Sequence, residues 1–549
     1  MSAVPRAFLE DLARRLESGQ VQGKDGLHRA KVEHARSLGG APVPSDAELL
    51  EAAGAVDPAL RARLLPFVRA KPMRTLSGVA VVAVMTSPAA CPHGRCTFCP
   101  GGVEAGSPQA YTGFEPAAMR GARAGFDAHD QVAGRLAQLA ALGHDTDKVD
   151  LIVMGGTFPA RDGDYQEAFV KGALDAMNGS RAASLLEACE VNEQAASRCV
   201  GLTVETKPDW CGPAHVARML GYGTTRVEVG VQALDDEVLE ATRRGHTVAD
   251  VVAATRHVKD AGLKLCYHLM PGMPGMDPAK DREGFRRLFA DEDFRPDQLK
   301  VYPTLVLPQT PLYEAWRRGE FAPYDDATAA AVVADLKALV PRYVRIQRVE
   351  RDIPTPMVAA GPQHSNLRQL ARVALAARGG ACACIRCREA GHRANTGGDV
   401  DLDGPLTLER TAYRAAGGEE LFFELVDGRG ALHAFARARL AGGDGAAGTR
   451  AGDAFLRELR VVGRPAALGP EGRAAKGAPE RLQHHGLGAG LLAAVEEAAF
   501  GAWGAGAVWV TAGVGVRDYY RKLGYTREGP YMRLRAKDRP PRAAPPAGA

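Results

Sequence analysis

The chain has 549 residues, a net charge of +4 and an apolar share of 46%. That length accommodates roughly two to four domains, and so mild a charge permits nucleic-acid binding without requiring it. No apolar run of about 20 residues occurs and the N-terminus lacks a signal peptide's apolar core, so a cytoplasmic protein outside the membrane is expected.

Residues 1–75 read as a basic helical region, with 12 Lys and Arg against 9 Asp and Glu. Arg14, Arg15, Lys24, Arg29, Lys31, Arg36, Arg69, Lys71 and Arg74 form either a solvated helical face or an RNA-binding arm that neutralises phosphates.

From 76 to 361, strand-like runs alternate with helix-compatible stretches: Val79–Thr86, Val149–Gly155, Cys199–Glu205, Arg226–Gln232, Lys264–Met270 and Gln298–Leu305. Such alternation predicts parallel strands covered by helices, and six units suit a partial barrel of the (β/α) type. Chemistry in such folds sits at the C-terminal strand ends. The first run leads into Cys91, Cys96 and Cys99, spaced C-x4-C-x2-C. Three thiolates on one loop can hold three irons of a [4Fe–4S] cluster and leave the fourth iron open for a ligand. That arrangement is what a radical S-adenosylmethionine (SAM) enzyme uses to cleave its cosubstrate. The competing reading is a zinc knuckle completed by a distant histidine. The next strand ends are polar or glycine-rich: Gly155-Gly156-Thr157, Glu205-Thr206-Lys207-Pro208, Glu228 with Gln232, and His268 to Gly275.

Further on, Val344 and Ile346 alternate with Arg345 and Gln347 as on a half-buried strand, within a segment (342–351) of four Arg and one Glu. Cys382, Cys384 and Cys387 form a second triplet, whose closeness predicts tetrahedral zinc with one further ligand, His364 or His392. The remaining cysteines, 189, 199, 211 and 266, read as small buried hydrophobes. In a reducing compartment no disulfide is expected.

Residues 394–404 are rich in Gly and Asp and mark a boundary. Beyond it, Leu421–Val426 and Ala431–Arg439 flank a Gly-containing turn and predict a hairpin. Phe455–Val462 reads as a strand, 463–480 as a loop, and Val508–Thr511 as another strand. Between the last two, Gln483-His-His-Gly486-Leu487-Gly488-Ala489-Gly490 opens a helix, and a glycine-rich helix N-terminus offers free N–H groups to a pyrophosphate. The tail from Arg539 is Pro- and Ala-rich and reads as disordered.

The Cys91 loop, Tyr111-Thr-Gly-Phe-Glu-Pro116, Met154-Gly-Gly-Thr-Phe158 and Glu205-Thr-Lys-Pro208 resemble the catalytic subunit of the Elongator complex, in particular its stand-alone archaeal and bacterial members. The resemblance runs from about residue 75 to 535. The Q-x-x-G-x-G turn and Tyr520-Arg-Lys-Leu-Gly-Tyr525 resemble a GNAT acetyltransferase. The organisation implied is an α/β multidomain protein: a basic helical tRNA-binding region (1–75), a partial (β/α)6 radical SAM barrel (76–361), a zinc-binding linker (362–398), a GNAT domain (399–537) and a tail (538–549). The resemblance implies that Gly155, Gly156 and Thr157 meet the amino-acid end of SAM, with Glu205 at its ribose and Gln232 nearby. It implies that acetyl-CoA meets Lys148, the strand Glu458-Leu459-Arg460-Val461, the Gln483–Ala489 turn, and Tyr520 at the thioester. The implied reaction joins the two: a 5′-deoxyadenosyl radical activates the acetyl methyl group, which adds to C5 of the wobble uridine in a tRNA anticodon stem-loop. An electron donor is required, and partner subunits or a homodimer are further expectations.

Overall fold

The computed structural model describes residues 4–39, 43–68, 78–401, 404–462 and 486–542. Gln483, the 463–480 loop, Arg69, Lys71 and Arg74 therefore lie outside the described residues. Four helices, Arg6–Glu17, Gly23–Ser37, Asp46–Val56 and Pro58–Val68, form the N-terminal region around Leu9, Leu12, Leu27, Leu49 and Leu64. A capping box between Ser45 and Glu48 starts the third. Lys31 leaves the basic face: it is 5% exposed and its ammonium is 2.8 Å from Asp46.

Seven parallel strands follow: β1 (Ala80–Met85), β2 (Lys148–Met154), β3 (Arg198–Thr206), β4 (Arg226–Gln232), β5 (Lys264–Leu269), β6 (Gln298–Val301) and β7 (Arg345–Val349). They hydrogen-bond in sequential order. The sheet thus has one strand more than the six expected, because the basic segment read as a separate strand is β7. Its Ile346 and Val349 join the common core while Arg345 and Gln347 alternate with them. The same period of two runs through the sheet. Val149, Leu151 and Val153 face the helices, while Ile152 and Met154 turn to the barrel lumen. All four scattered cysteines are buried.

A second seven-stranded sheet holds β8 (Thr407–Ala415), β9 (Gly418–Val426), β10 (Leu432–Leu440), β11 (Ala454–Val461), β12 (Ala507–Val510), β13 (Thr526–Glu528) and β14 (Tyr531–Arg535), in the order β13-β14-β12-β11-β10-β9-β8. β9 and β10 form the expected hairpin, and β11 and β12 are the one parallel pair. One face of this sheet packs Ala434, Ala436 and Ala438 against Leu491, Leu492 and Val495 of the helix Leu487–Glu497. The other face shares the barrel's core through Phe422, Phe435, Phe455 and Tyr531. Arg539 and Arg542 pair with buried Glu496, so the start of the expected disordered tail is held in place, while residues 543–549 lie outside the described residues. Among the described residues no helix is long and apolar enough to cross a membrane.

The two sheets meet across a water-excluded ion network. Arg457 of β11 donates to Asp297, just before β6, at 2.8 and 2.6 Å, and to Glu420 of β9 at 3.0 Å. Lys259 donates to the same Glu420 at 3.1 Å, and Arg439 binds Asp260 at 2.9 Å. Arg437 binds Glu458 at 2.9 Å. Four cations thus face four acids with side chains at most 7% exposed. Removing one member strands a buried charge. Asp297→Ala is expected to weaken the seam by about 3–5 kcal/mol, read in calorimetry as a lower transition temperature with the barrel and the second sheet melting apart.

The exit loop of β5 is pinned by a second buried carboxyl. Asp281, 4% exposed, accepts from Gly272 N at 2.9 Å and from the Tyr324 hydroxyl at 2.8 Å. Burial pushes its carboxyl up to about 6 despite both donors. A raised acid favours the protonated fold, so this contribution is complete below about pH 3.8 and is lost as pH rises through about 6. Asp281→Asn is expected to flatten the pH dependence of the melting temperature between about pH 4 and 7, a change of order 3 kcal/mol.

Candidate active site

The C-terminal ends of the barrel strands surround a cavity of about 760 Å3, lined by Cys91, Cys96, Cys99, Gly156, Thr157, Glu205 and Gln232. The end of β2 makes room for it. Gly155 and Gly156 adopt φ values of +126° and +102°. A Cβ on Gly155 would stand 2.1 Å from Thr86 Oγ1, so only glycine lets the exits of β1 and β2 close on each other.

The cysteine loop is electrostatically prepared. Arg244 Nη1 donates to Cys96 Sγ at 3.3 Å, and His93 Nε2 lies 3.1 Å from the same sulfur. A bond from Cys99, then Arg244 and His93, bring the Cys96 thiol down to about 3. Cys99 is pushed up by that bond and by burial, and burial also raises Cys91. Three cysteines lining one cavity, one with its thiol lowered by its neighbours, fit a cluster with three protein ligands.

Glu205 accepts from the Tyr111 hydroxyl at 2.9 Å and from Lys300 at 3.4 Å. Below it lies Glu228, fully buried, bound to Lys300, to His268 Nε2 at 2.8 Å and to Arg226 at 3.3 Å. Burial alone would raise the Glu228 carboxyl, but Lys300, His268 and Arg226 hold it below the usual carboxylate range. This lumen chain was only partly visible in sequence. Glu228 and His268 stand among the polar strand ends, whereas Arg226, Lys264 and Lys300 are singled out by nothing beyond their place in the strand-like runs. Their spacing by two residues, in strands that must be covered outside, was the available signal.

Deeper in the cavity stand Gln347 and Arg386. Burial and the neighbouring Arg368 and Arg345 push Arg386 down to about 10. Arg345 pairs with Glu389, and Arg460 of β11 feels the charges of both. The charges of Arg345 and Glu389 thus act both on Arg386, which lines the cavity, and on Arg460 of β11.

β11 and β12 pair only from Ala454 to Leu456, while β11 stays bonded to β10 as far as Val461. β12 ends at Val510, the partner of Leu456, so the edge Glu458–Val461 faces no strand among the described residues. The Glu458 side chain is committed to Arg437, leaving its backbone as the available group. Gly486 caps the helix Leu487–Glu497 without a side-chain acceptor, so among the described residues the N–H groups of Leu487, Gly488 and Ala489 have no side-chain cap. A Cβ on Gly488 would lie 3.2 Å from the Tyr519 hydroxyl and 4.0 Å from Val461 Cγ2. Tyr520 is buried between Tyr519 and Tyr525, rings 5.2 and 5.7 Å away, and burial pushes its phenol above the usual range.

Lys148 begins β2, at the end opposite Gly155, and is paired in register with Arg198, against which Gly515 packs. Burial lowers its ammonium. A seven-residue strand spans roughly 20 Å, so the cysteine end and the Lys148 end lie at opposite mouths of one barrel.

Cys382, Cys384 and Cys387 gather their sulfurs within 4.8 Å of one another. A single tetrahedral ion with bonds of about 2.3 Å needs sulfurs that close. Buried Lys337 donates to Cys387 Sγ at 3.6 Å. Neither expected histidine joins this group: His364 lies 2.7 Å from Asp326, and His392 lies 3.5 Å from Glu389. Of the four arginines in 342–351, Arg342 and Arg345 are bound to acids beyond the barrel, and Arg348 and Arg351 line the cavity.

Residues 85–288 match the Radical SAM superfamily and 296–377 the Radical_SAM C-terminal domain. The tRNA uridine(34) acetyltransferase of Methanocaldococcus jannaschii is 44% identical over 96% of this chain and 97% of its own. Human Elongator complex protein 3 is 39% identical over 95% of each. The solved archaeal Methanocaldococcus infernus Elp3 with an N-terminal deletion superposes with a TM-score of 0.74 at 41% identity, covering 84% of this chain and 100% of that one. With motifs, fold and near full-length similarity in agreement, the chain belongs to the radical SAM family that contains the tRNA uridine(34) acetyltransferases and Elongator complex protein 3.

Proposed function

We propose that this protein uses SAM and acetyl-CoA to form 5-carboxymethyluridine at the wobble position of tRNA. The observation that carries the reading is the lumen: one cavity lined by the three cysteines runs along the strand ends to Gln347 and Arg386, and the Arg345–Glu389 pair beside Arg386 acts in turn on Arg460 of β11. On this reading the acetyl group reaches the cysteine-lined lumen from the side of the second sheet.

Cys91, Cys96 and Cys99 would hold a [4Fe–4S] cluster, which would supply the electron for SAM cleavage. The chain's own groups do the rest of the positioning. The backbone at Gly155–Thr157 takes the amino-acid end of SAM. Glu205, fixed by Tyr111 and Lys300, takes the ribose, with Gln232 beside it. At the far end, the bare N-terminus of the helix Leu487–Glu497 binds the pyrophosphate of acetyl-CoA. The unpaired edge Glu458–Val461 completes its ladder with the pantetheine amides, and Lys148 flanks that mouth. Tyr520, kept protonated by burial, donates a proton to the departing thiolate. The uridine leaves the anticodon stack to enter the cavity past Arg348 and Arg351. The N-terminal helices extend the phosphate-binding surface with Arg14, Arg29 and Lys24. Cys382, Cys384 and Cys387 hold a structural zinc whose excess thiolate charge Lys337 offsets.

Two assays test this. Anaerobically purified protein with reductant, SAM, acetyl-CoA and tRNA is expected to yield 5-carboxymethyluridine by mass spectrometry, and Cys96→Ala to abolish both product and iron binding. Product formation that persists in Cys96→Ala would sink the radical reading. Tyr520→Phe is expected to slow acetyl-CoA consumption by about 100-fold while SAM cleavage without acetyl-CoA proceeds at the wild-type rate.

A further inference from the structure

The segment Thr242–His246, which follows the helix Asp236–Ala241, backs the cysteine loop. Thr97 N donates to the Thr242 carbonyl at 3.2 Å. Arg243 and Gly245 take φ values of +57° and +64°, a tight reversal that turns Arg244 inward. Arg244 is 6% exposed, and its guanidinium lies 5.9 Å from the Phe98 ring centre. One end donates to Cys96 Sγ at 3.3 Å, and the other is anchored on the Gly230 carbonyl at 2.8 Å. His93 Nε2 approaches the same sulfur at 3.1 Å. Absent side chains make the room. A Cβ on Gly230 would stand 3.1 Å from Arg244 Nη2, and one on Gly245 would stand 2.5 Å from His93 Cβ. Cys91, by contrast, has the Thr157 hydroxyl at 3.9 Å. A permanent cation and an imidazole nitrogen therefore converge on one sulfur of the three.

We propose that Arg244, assisted by His93, raises the reduction potential of the iron–sulfur cluster by donating hydrogen bonds and fixed positive charge to the Cys96 thiolate. The inference rests on the reading of Cys91, Cys96 and Cys99 as cluster ligands. An added electron makes the cluster and its thiolates more negative. A buried cation and N–H donors at sulfur stabilise that state more than the oxidised one. Burial removes the ionic screening that weakens such a charge at the surface. The Gly230 carbonyl keeps the guanidinium from swinging away. Arg244 is thus a positioning and tuning residue that acts through Cys96.

The test is an EPR-monitored redox titration of the anaerobically reconstituted full-length protein without SAM, with iron and sulfide counted per chain. The midpoint potential of Arg244→Gln is expected to be more negative than wild type. Arg244→Lys, which keeps the charge but loses the two-ended anchor, is expected to shift less in the same direction. An unchanged or more positive potential in cluster-loaded Arg244→Gln overturns the proposal. If Arg244→Gln does not load, Arg244→Lys decides by the same sign. A wild-type protein that binds neither iron nor sulfide would remove the cluster reading itself, and the proposal with it.

Discussion

Asp297 and Glu420 sit where no water reaches, between Arg457, Arg439 and Lys259, and everything else in the molecule is placed relative to that seam. The acids and bases come from both sheets, so neither half can bury its members alone. Their attraction must offset the cost of stripping eight charged groups of water, and it does so only where each has a close partner of opposite sign. The bidentate Arg457–Asp297 pair supplies direction as well as energy. The network therefore fixes the angle and register at which the second sheet meets the barrel's N-terminal end.

That registration decides what the barrel lumen can do. In many barrels the interior is filled by branched apolar side chains. Here it carries Glu228, Lys300, His268 and Arg226, linked to one another and leading to Glu205. A polar, partly open lumen is costly to a fold and useful to a reaction whose two halves are made at opposite mouths. The cysteine loop lies at the C-terminal strand ends, whereas Lys148 begins β2 at the opposite end of the barrel.

Charge misled the reading of single segments in a consistent way. The arginine-rich stretch 342–351 reads as a half-buried strand but not as a barrel member, and it is the seventh barrel strand: Arg345 finds Glu389, and Arg348 and Arg351 line the cavity. Lys31 looked like a phosphate contact and is buried against Asp46. Arg539 and Arg542 looked like a loose tail and are held by Glu496. In each case a partner distant in sequence turned a solvated charge into a buried one. The strands β8, β13 and β14 were missed for a related reason: they are short or mixed in character, and their pairing partners make them strands.

The sequence alone was sufficient for features whose chemistry is local. The spacing of Cys91, Cys96 and Cys99, the glycines at 155 and 156, the alternation of strands and helices, and the Gly486 turn each act through neighbouring residues, so their pattern is written in the chain. What only the tertiary structure decided are the encounters between residues far apart in the chain: Arg244 at Cys96, Lys300 at Glu228, Arg457 at Asp297 and β11 at the barrel floor. Such contacts depend on where buried charges find compensation, and that is a property of the packed whole, because the cost of burying a charge falls only when its partner arrives in three dimensions.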